Sequence, residues 1–247
     1  MIAPVPMTMI FRPQLRPTLV MLPVLAILAG LGVWQLQRLE WKEGLIEAAR
    51  ARASAAPIPL EQALAQFPES PEYRRVTVRG RFDHSNEVYL FTKPEGRGPG
   101  YNVITPLIRD EGPPVLVERG FVPEEKRLPE TRARGQVTGE VAITGLLRAP
   151  QEGTAFTPPP DREKRIWYAR DIEAMAEAAG VTNAPPVTVA AGAEATPPGG
   201  WPRGGTTRLE FVNRHLEYAL TWFALAAVLV VIYLVYHYVR GHLRWRP

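Results

Sequence analysis

The 247-residue chain carries 29 Lys and Arg against 25 Asp and Glu and has a pI near 9.5, but five tail arginines, Arg12, Arg16, Arg240, Arg244 and Arg246, exceed the net charge of +4 by themselves. The remaining 24 basic residues face all 25 acidic ones, which leaves no nucleic-acid footprint in the body of the protein. The absence of cysteine excludes disulfides, thiol redox chemistry and covalent c-type haem; three of the five methionines fall within the first nine residues, so no thioether copper site is expected either.

The tail, residues 1–16, leads into Pro17 to Gln37, a run without Lys, Arg, Asp or Glu. As a helix it reaches ~30 Å, the thickness of a bilayer's hydrocarbon core. Tyr218 to Val239 is a second such run, followed by the tail 240–247. Two spans put both tails on one side, and short tails with Arg but no acid favour the cytoplasmic side, leaving residues 38–217 as an extracytoplasmic domain. Arg38, Lys42, Arg50 and Arg52 just beyond the first span weaken this assignment, but Glu40, Glu43 and Glu47 are mixed with them. The segment is also too long for its charges to set orientation. A cleaved signal peptide competes as a reading of the first span, yet the uncharged run exceeds an ordinary h-region. The first small-residue sequence resembling a cleavage site, around Ala51 to Ala56, lies far past it. The helix is instead expected to continue to about Ala53, with Trp34, Arg38, Trp41 and Leu45 at helical spacing and the tryptophans suited to the membrane interface.

A Pro-rich join at Ala55 to Pro59 precedes a short helical candidate, Leu60 to Phe67. Val76, Val78, Gly80 and Phe82 then alternate with Arg75, Thr77, Arg79 and Arg81, the period-two pattern of a half-buried strand. Further strands are predicted over Glu87 to Thr92, Tyr101 to Ile108, Val115 to Val122 and Val141 to Leu147, with Pro186 to Ala190 as a candidate sixth. Their hairpin-like spacing predicts an antiparallel sheet or partial barrel. Asp171 as N-cap, the stripe Ile172, Met175 and Ala179, and Gly180 as stop predict one helix packed on the sheet. Pro158 to Arg165 and Ala190 to Gly205 read as mobile loops. The expected fold is therefore an integral membrane α+β protein, two transmembrane helices flanking a β-rich antiparallel, partial-barrel-like extramembrane domain.

Catalytic patterns are thin. Gly96, Gly98 and Gly100 are followed by a β-like run rather than the helix a dinucleotide fingerprint needs, and they read as a hairpin loop. There is no nucleophile elbow, no HExxH motif and no cysteine nucleophile. His84 reads as a solvated turn residue. The protein is not expected to be an enzyme.

His215 is different. Thr207 and Glu210 form a capping-box pattern that predicts a helix starting about two turns before the second span, carrying Phe211, Asn213 and His215 at its mouth. His215, Tyr218, Trp222 and Leu225 would then share one face, joining an imidazole to aromatic and apolar surface, which is chemistry able to hold haem iron. Arg38, Lys42, Arg208 and Arg214 are expected near the same level and able to pair with propionates. The bland reading is an interfacial histidine among juxtamembrane arginines. His237, ~33 Å further along the helix, cannot share its iron and reads with His242 as an anchor at the opposite membrane face.

The segment Gly32-Val-Trp-Gln-Leu-Gln-Arg-Leu-Glu-Trp-Lys42 resembles the first-span signature of the surfeit locus protein 1 family, which assists cytochrome c oxidase assembly. Gly100-Tyr101 with Thr105-Pro106-Leu107, and Val115-Leu-Val-Glu-Arg-Gly-Phe-Val-Pro123, look like its central strands. Asn213-Arg-His-Leu-Glu-Tyr-Ala-Leu-Thr-Trp-Phe223 looks like its second-span signature, and Trp167-Tyr168 with Asp171 fits the stretch before its domain helix. Phe121 stands where Trp is common. The resemblance runs from about Phe11 to Tyr238.

It implies a factor without catalytic activity that helps insert or stabilise haem a in the large oxidase subunit, with His215 as axial ligand and Tyr218 and Trp222 as pocket walls. Trp34, Gln35 and Arg38 match the first-span signature and are inferred haem contacts. The implied partners are the large subunit of cytochrome c oxidase, haem a synthase as donor, and membrane lipid. A haem-free scaffold for the nascent subunit is the competing reading, with Ala26 and Gly30 as a small-residue face for helix packing. A membrane-anchored periplasmic enzyme is disfavoured by the missing catalytic groups. The short N-terminal tail favours a bacterial inner membrane, with the domain in the periplasm, over a mitochondrial inner membrane.

Overall fold

The computed structural model describes residues 8–69, 71–94, 96–207, 209 and 211–246. In chain order its elements are β1 (Thr8–Phe11), α1 (Leu15–Ser54), β2 (Ile58–Pro59), α2 (Leu60–Gln66), β3 (Arg75–Phe82), β4 (Val88–Thr92), β5 (Gly100–Ile108), β6 (Val115–Pro123), β7 (Glu140–Arg148), β8 (Ile166–Trp167), α3 (Ile172–Ala178), β9 (Thr188–Ala191), α4 (His215–Val239) and β10 (Leu243–Arg246). They form two bodies, one from α1 as far as Glu47 with α4, β1 and β10, the other from Ala48–Leu209.

In the first body α1 and α4 are each long and apolar enough to cross a membrane. Their outward faces carry Val20, Ile27, Ile232 and Val239, all more than half exposed, a surface that lipid rather than water accommodates. The inward faces are specific. A Cβ on Gly32 would lie 2.6 Å from the Phe223 ring, so the missing side chain is what lets the aromatic ring seat on α1. The expected small-residue face of Ala26 and Gly30 does not meet the second span: Gly30 has nothing within 4 Å of where its Cβ would stand, and both residues face outward, where a partner could pack. Gly32 is instead on the buried stripe. Thr18 Oγ1 meets the Tyr233 hydroxyl at 2.5 Å, and beyond the helices β1 pairs antiparallel with β10.

The second body is a single eight-stranded sheet in the order β2-β3-β7-β9-β6-β5-β4-β8, and an additional pairing of β3 with β5 closes five of these strands into a small barrel. Arg81 opposite Ile108 and Phe82 opposite Leu107 make that closure. Its interior holds Val76, Leu107, Val115, Val117, Leu147 and Val189, and α2 adds Leu60 and Ala63, all fully buried. On β6 the alternate residue Leu116 packs instead with α3 through Met175 and Ile172, so the strand is buried on both sides. This explains why Val115, Leu116 and Val117 are apolar in succession rather than alternating with polar residues.

The sheet is not purely antiparallel. β9 joins β6 in parallel because the chain returns from β7 by way of α3, and the short pairs β2–β3 and β4–β8 are parallel as well. The expected helix is α3, with Asp171 Oδ1 accepting the Ala174 N–H at 3.1 Å. A strand, β5, begins at Gly100, in agreement with a hairpin rather than a phosphate loop. The stretch Ala190 to Gly205, expected to be a mobile loop, is tied down instead. Its first residues are β9, Phe121 and Arg203 exchange backbone hydrogen bonds at 2.9 Å in both directions, and the Gly205 N–H reaches the Ala191 carbonyl at 2.9 Å.

Candidate functional site

α4 begins at His215, not two turns earlier. Residues 211–214 are not helical, and the Asn213 side-chain oxygen takes the His215 N–H at 3.4 Å, a local side-chain bond that competes with a continued helix. Lys42 donates its ammonium to the Val212 carbonyl at 2.6 Å, removing that group from any helical ladder. Glu210 of the expected capping box, and Arg208, lie outside the described residues.

His215 therefore occupies the first turn of an apolar helix. Its ring is partly buried, and Nδ1 lies 2.7 Å from Oε1 of Gln35 on α1. Because an amide oxygen accepts, Nδ1 carries the proton and Nε2 presents a lone pair. No described residue hydrogen-bonds Nε2. Tyr218 and Trp222, three and seven residues on, share the His215 side of α4; Tyr218 is half exposed and Trp222 partly buried.

Of the other expected contacts, Gln35 holds the histidine. The Arg38 guanidinium stacks 3.8 Å over the Trp41 ring, and Lys42 is on the Val212 carbonyl. Trp34 and Arg214 are exposed. A single imidazole with a free Nε2 and aromatic neighbours suits one axial position on haem iron, whereas a bare divalent ion needs more ligands. Among the described residues no group of three or more His, Asp or Glu side chains can hold a metal.

His237 is more than an interface anchor. It is fully buried, its Nδ1 donates to the Tyr233 carbonyl at 2.9 Å, and its Nε2 accepts the backbone N–H of Gln14 at 3.0 Å. The Gln14 side chain in turn meets His242 Nε2 at 2.5 Å and accepts from the Tyr236 hydroxyl at 3.1 Å.

The barrel body holds two buried ion clusters that residue patterns did not reveal. β6 carries one residue more than β5 between the pairs Ile104–Glu118 and Val103–Gly120, and the extra residue is Arg119. This bulge sends the Arg119 side chain to Glu87, which also binds Arg132 and accepts from Thr105. Gly120 completes the bulge at φ +131°, where a Cβ would stand 2.0 Å from the Arg203 carbonyl oxygen. Arg132 also donates to the carbonyls of Lys126 and Arg127, so the 124–135 segment is folded onto Glu87.

His84 belongs to this cluster and is not a solvated turn residue. Its Nε2 donates to the Val137 carbonyl at 2.8 Å and its Nδ1 lies 3.4 Å from Glu87. Burial raises the Glu87 carboxyl, but His84, Arg132 and Arg119 outweigh it and hold it below the usual range. Burial lowers the Arg119 guanidinium to about 10. The second cluster joins Glu118 to Arg170 at 2.6 Å and Thr188 at 2.7 Å, and Glu118 too is held low against its burial by Arg170. These ion pairs are structural in geometry, since every charge has its partner inside the fold.

Residues 22–227 match the SURF1 family. A surfeit locus protein 1 from Takifugu rubripes is 42% identical over 214 residues, covering 80% of this chain and 87% of the relative. The mouse protein of the same name is 42% identical over 224 residues, covering 85% and 71% respectively. A SURF1-like protein from Monosiga brevicollis is 38% identical over 224 residues, covering 86% and 84%. With signature segments, two membrane-length helices and most of the chain in agreement, this protein belongs to the SURF1 family of cytochrome c oxidase assembly factors.

Proposed function

We propose that the protein holds haem a transiently through His215 and passes it to the large subunit of cytochrome c oxidase. The observation that carries this reading is the His215–Gln35 bond, which fixes the ring and leaves Nε2 as a lone-pair donor at the start of an apolar helix. If bound, haem would supply an iron able to take the His215 Nε2 lone pair and an apolar macrocycle. Tyr218, Trp222 and Trp34 offer aromatic surface to that macrocycle. Arg38, stacked on Trp41 by its face, keeps its N–H edge for a propionate. One side-chain ligand, rather than two, keeps the hold exchangeable, as a delivery factor requires.

In this reading haem a synthase is the donor, the two helices span a bacterial inner membrane with both tails in the cytoplasm, and residues 38–217 face the periplasm. The Arg-bearing, acid-free tails support that orientation. The test is purification in mild detergent from cells that make haem a, followed by reduced pyridine-haemochrome spectra of the native protein and of His215→Ala. Haem a in the native form and its loss in the variant are expected. Absence of haem from both would overturn the reading and leave a haem-free scaffold acting through protein contacts.

A further inference from the structure

We infer that Gln35 is a positioning residue that sets how tightly His215 holds its ligand, and that an amide at this place keeps the hold weak enough for release. The inference rests on the reading of His215 as an axial haem ligand. Its physical basis is the 2.7 Å contact between Nδ1 and the Gln35 carbonyl oxygen, made across two helices by residues 180 positions apart. The partner on the far nitrogen of a ligating imidazole fixes its tautomer and ring plane and tunes its donor strength. A carboxylate there accepts more strongly and drives the ring toward imidazolate character; a neutral amide does so less.

Among the described residues nothing else performs this task. Of the charged side chains one and two turns beyond Gln35 on α1, Arg38 lies on the Trp41 ring and Lys42 on the Val212 carbonyl. Among the described residues the ring of His215 has no other hydrogen-bond partner, and its backbone N–H is held by Asn213. The spacing that permits the contact is set one turn away, where the Phe223 ring occupies the place of a Gly32 side chain. Amide, imidazole and interhelical distance thus act together, and the amide is the element whose chemistry can be changed without changing its size.

The experiment uses the full-length protein purified with its haem, as native, Gln35→Leu, Gln35→Glu and His215→Ala forms. Two quantities are read: the rate of haem loss to excess apomyoglobin, and the ferrous iron–histidine stretching frequency by resonance Raman spectroscopy. Gln35→Leu should lose haem ~10-fold faster or more and lower the frequency. Gln35→Glu should slow the loss by a similar factor and raise the frequency. If native protein binds haem and His215→Ala does not, but the two Gln35 variants leave rate and frequency unchanged or shift them in the same direction, the inference is overturned. Haem missing from the native protein, or retained in His215→Ala, overturns the ligand assignment itself.

Discussion

The backbone N–H of Gln14 donates to Nε2 of His237 across 223 residues of sequence, at 3.0 Å. Gln14 immediately precedes α1, so this N–H is one of the donors a helix start leaves without an internal partner, and a buried imidazole from the end of α4 satisfies it. The chain's two apolar helices are thereby pinned at one end by a cap supplied in trans.

Replacing His237 by Phe keeps the ring and removes the acceptor. The expected cost is ~1–3 kcal/mol, the penalty for a buried donor left unpaired. Thermal unfolding in detergent checks it, and a midpoint equal to that of the native protein would show that the contact contributes nothing.

Glu87 is the carboxylate shared by Arg119 and Arg132 in the barrel body, all three nearly inaccessible to solvent. Glu87→Gln leaves two buried guanidiniums without a counter-charge. It should destabilise the barrel body by ~3–5 kcal/mol, the usual penalty for breaking a buried pair from one side. Because Arg132 folds the 124–135 segment onto Glu87, limited proteolysis should cut that segment first in the variant.

Acid should unfold the barrel body in a definite window. Burial pushes the Glu87 and Glu118 carboxyls up, but their cationic and hydrogen-bonding neighbours prevail and both end below the ordinary range. An unfolded Glu takes up its proton near pH ~4.3. Below that pH the unfolded chain binds more protons than the native one, so the contribution is complete above it and is lost as pH falls through the lowered native values. The unfolding midpoint, followed from neutral pH downward, should be level and then fall steeply in acid. Glu118→Gln should lower the plateau and flatten the fall; an unchanged acid slope would contradict the assignment.

Gly32 and Phe223 should behave as a coupled pair. Gly32→Leu forces the Phe223 ring off α1, and Phe223→Ala opens a gap there. The double variant should be more stable than the two single effects predict, by ~0.5–3 kcal/mol, because the new side chain fills the space the ring vacates. A thermodynamic cycle on detergent-solubilised protein measures this, and strict additivity would place the helix contact elsewhere.

Residue order alone determined those features whose cause is local. Uncharged runs marked both membrane-length helices, and alternation along Arg75 to Phe82 marked β3. Asp171 with an apolar stripe marked α3. The recognisable segments around Gly32, Val115 and Asn213 located the family and singled out His215. Each of these signals is contained within one continuous stretch of sequence, and those of β3 and α3 carry the period of the element they build.

Only the tertiary structure decided what depends on register and on distant partners. Closure of the barrel needs β3 to meet β5 at two residues, and the parallel seating of β9 needs the path through α3. One extra residue in β6 turns Arg119 toward Glu87, a partner 32 positions away that no local period identifies. The helix starts at His215 rather than at the expected capping box, with Asn213 on the His215 N–H and Lys42 on the Val212 carbonyl just ahead of it. The Gln35–His215 bond spans 180 positions, and whether a histidine offers its Nε2 or buries it, as His237 does, is settled by which side chains the folded helices bring within ~3 Å of the ring.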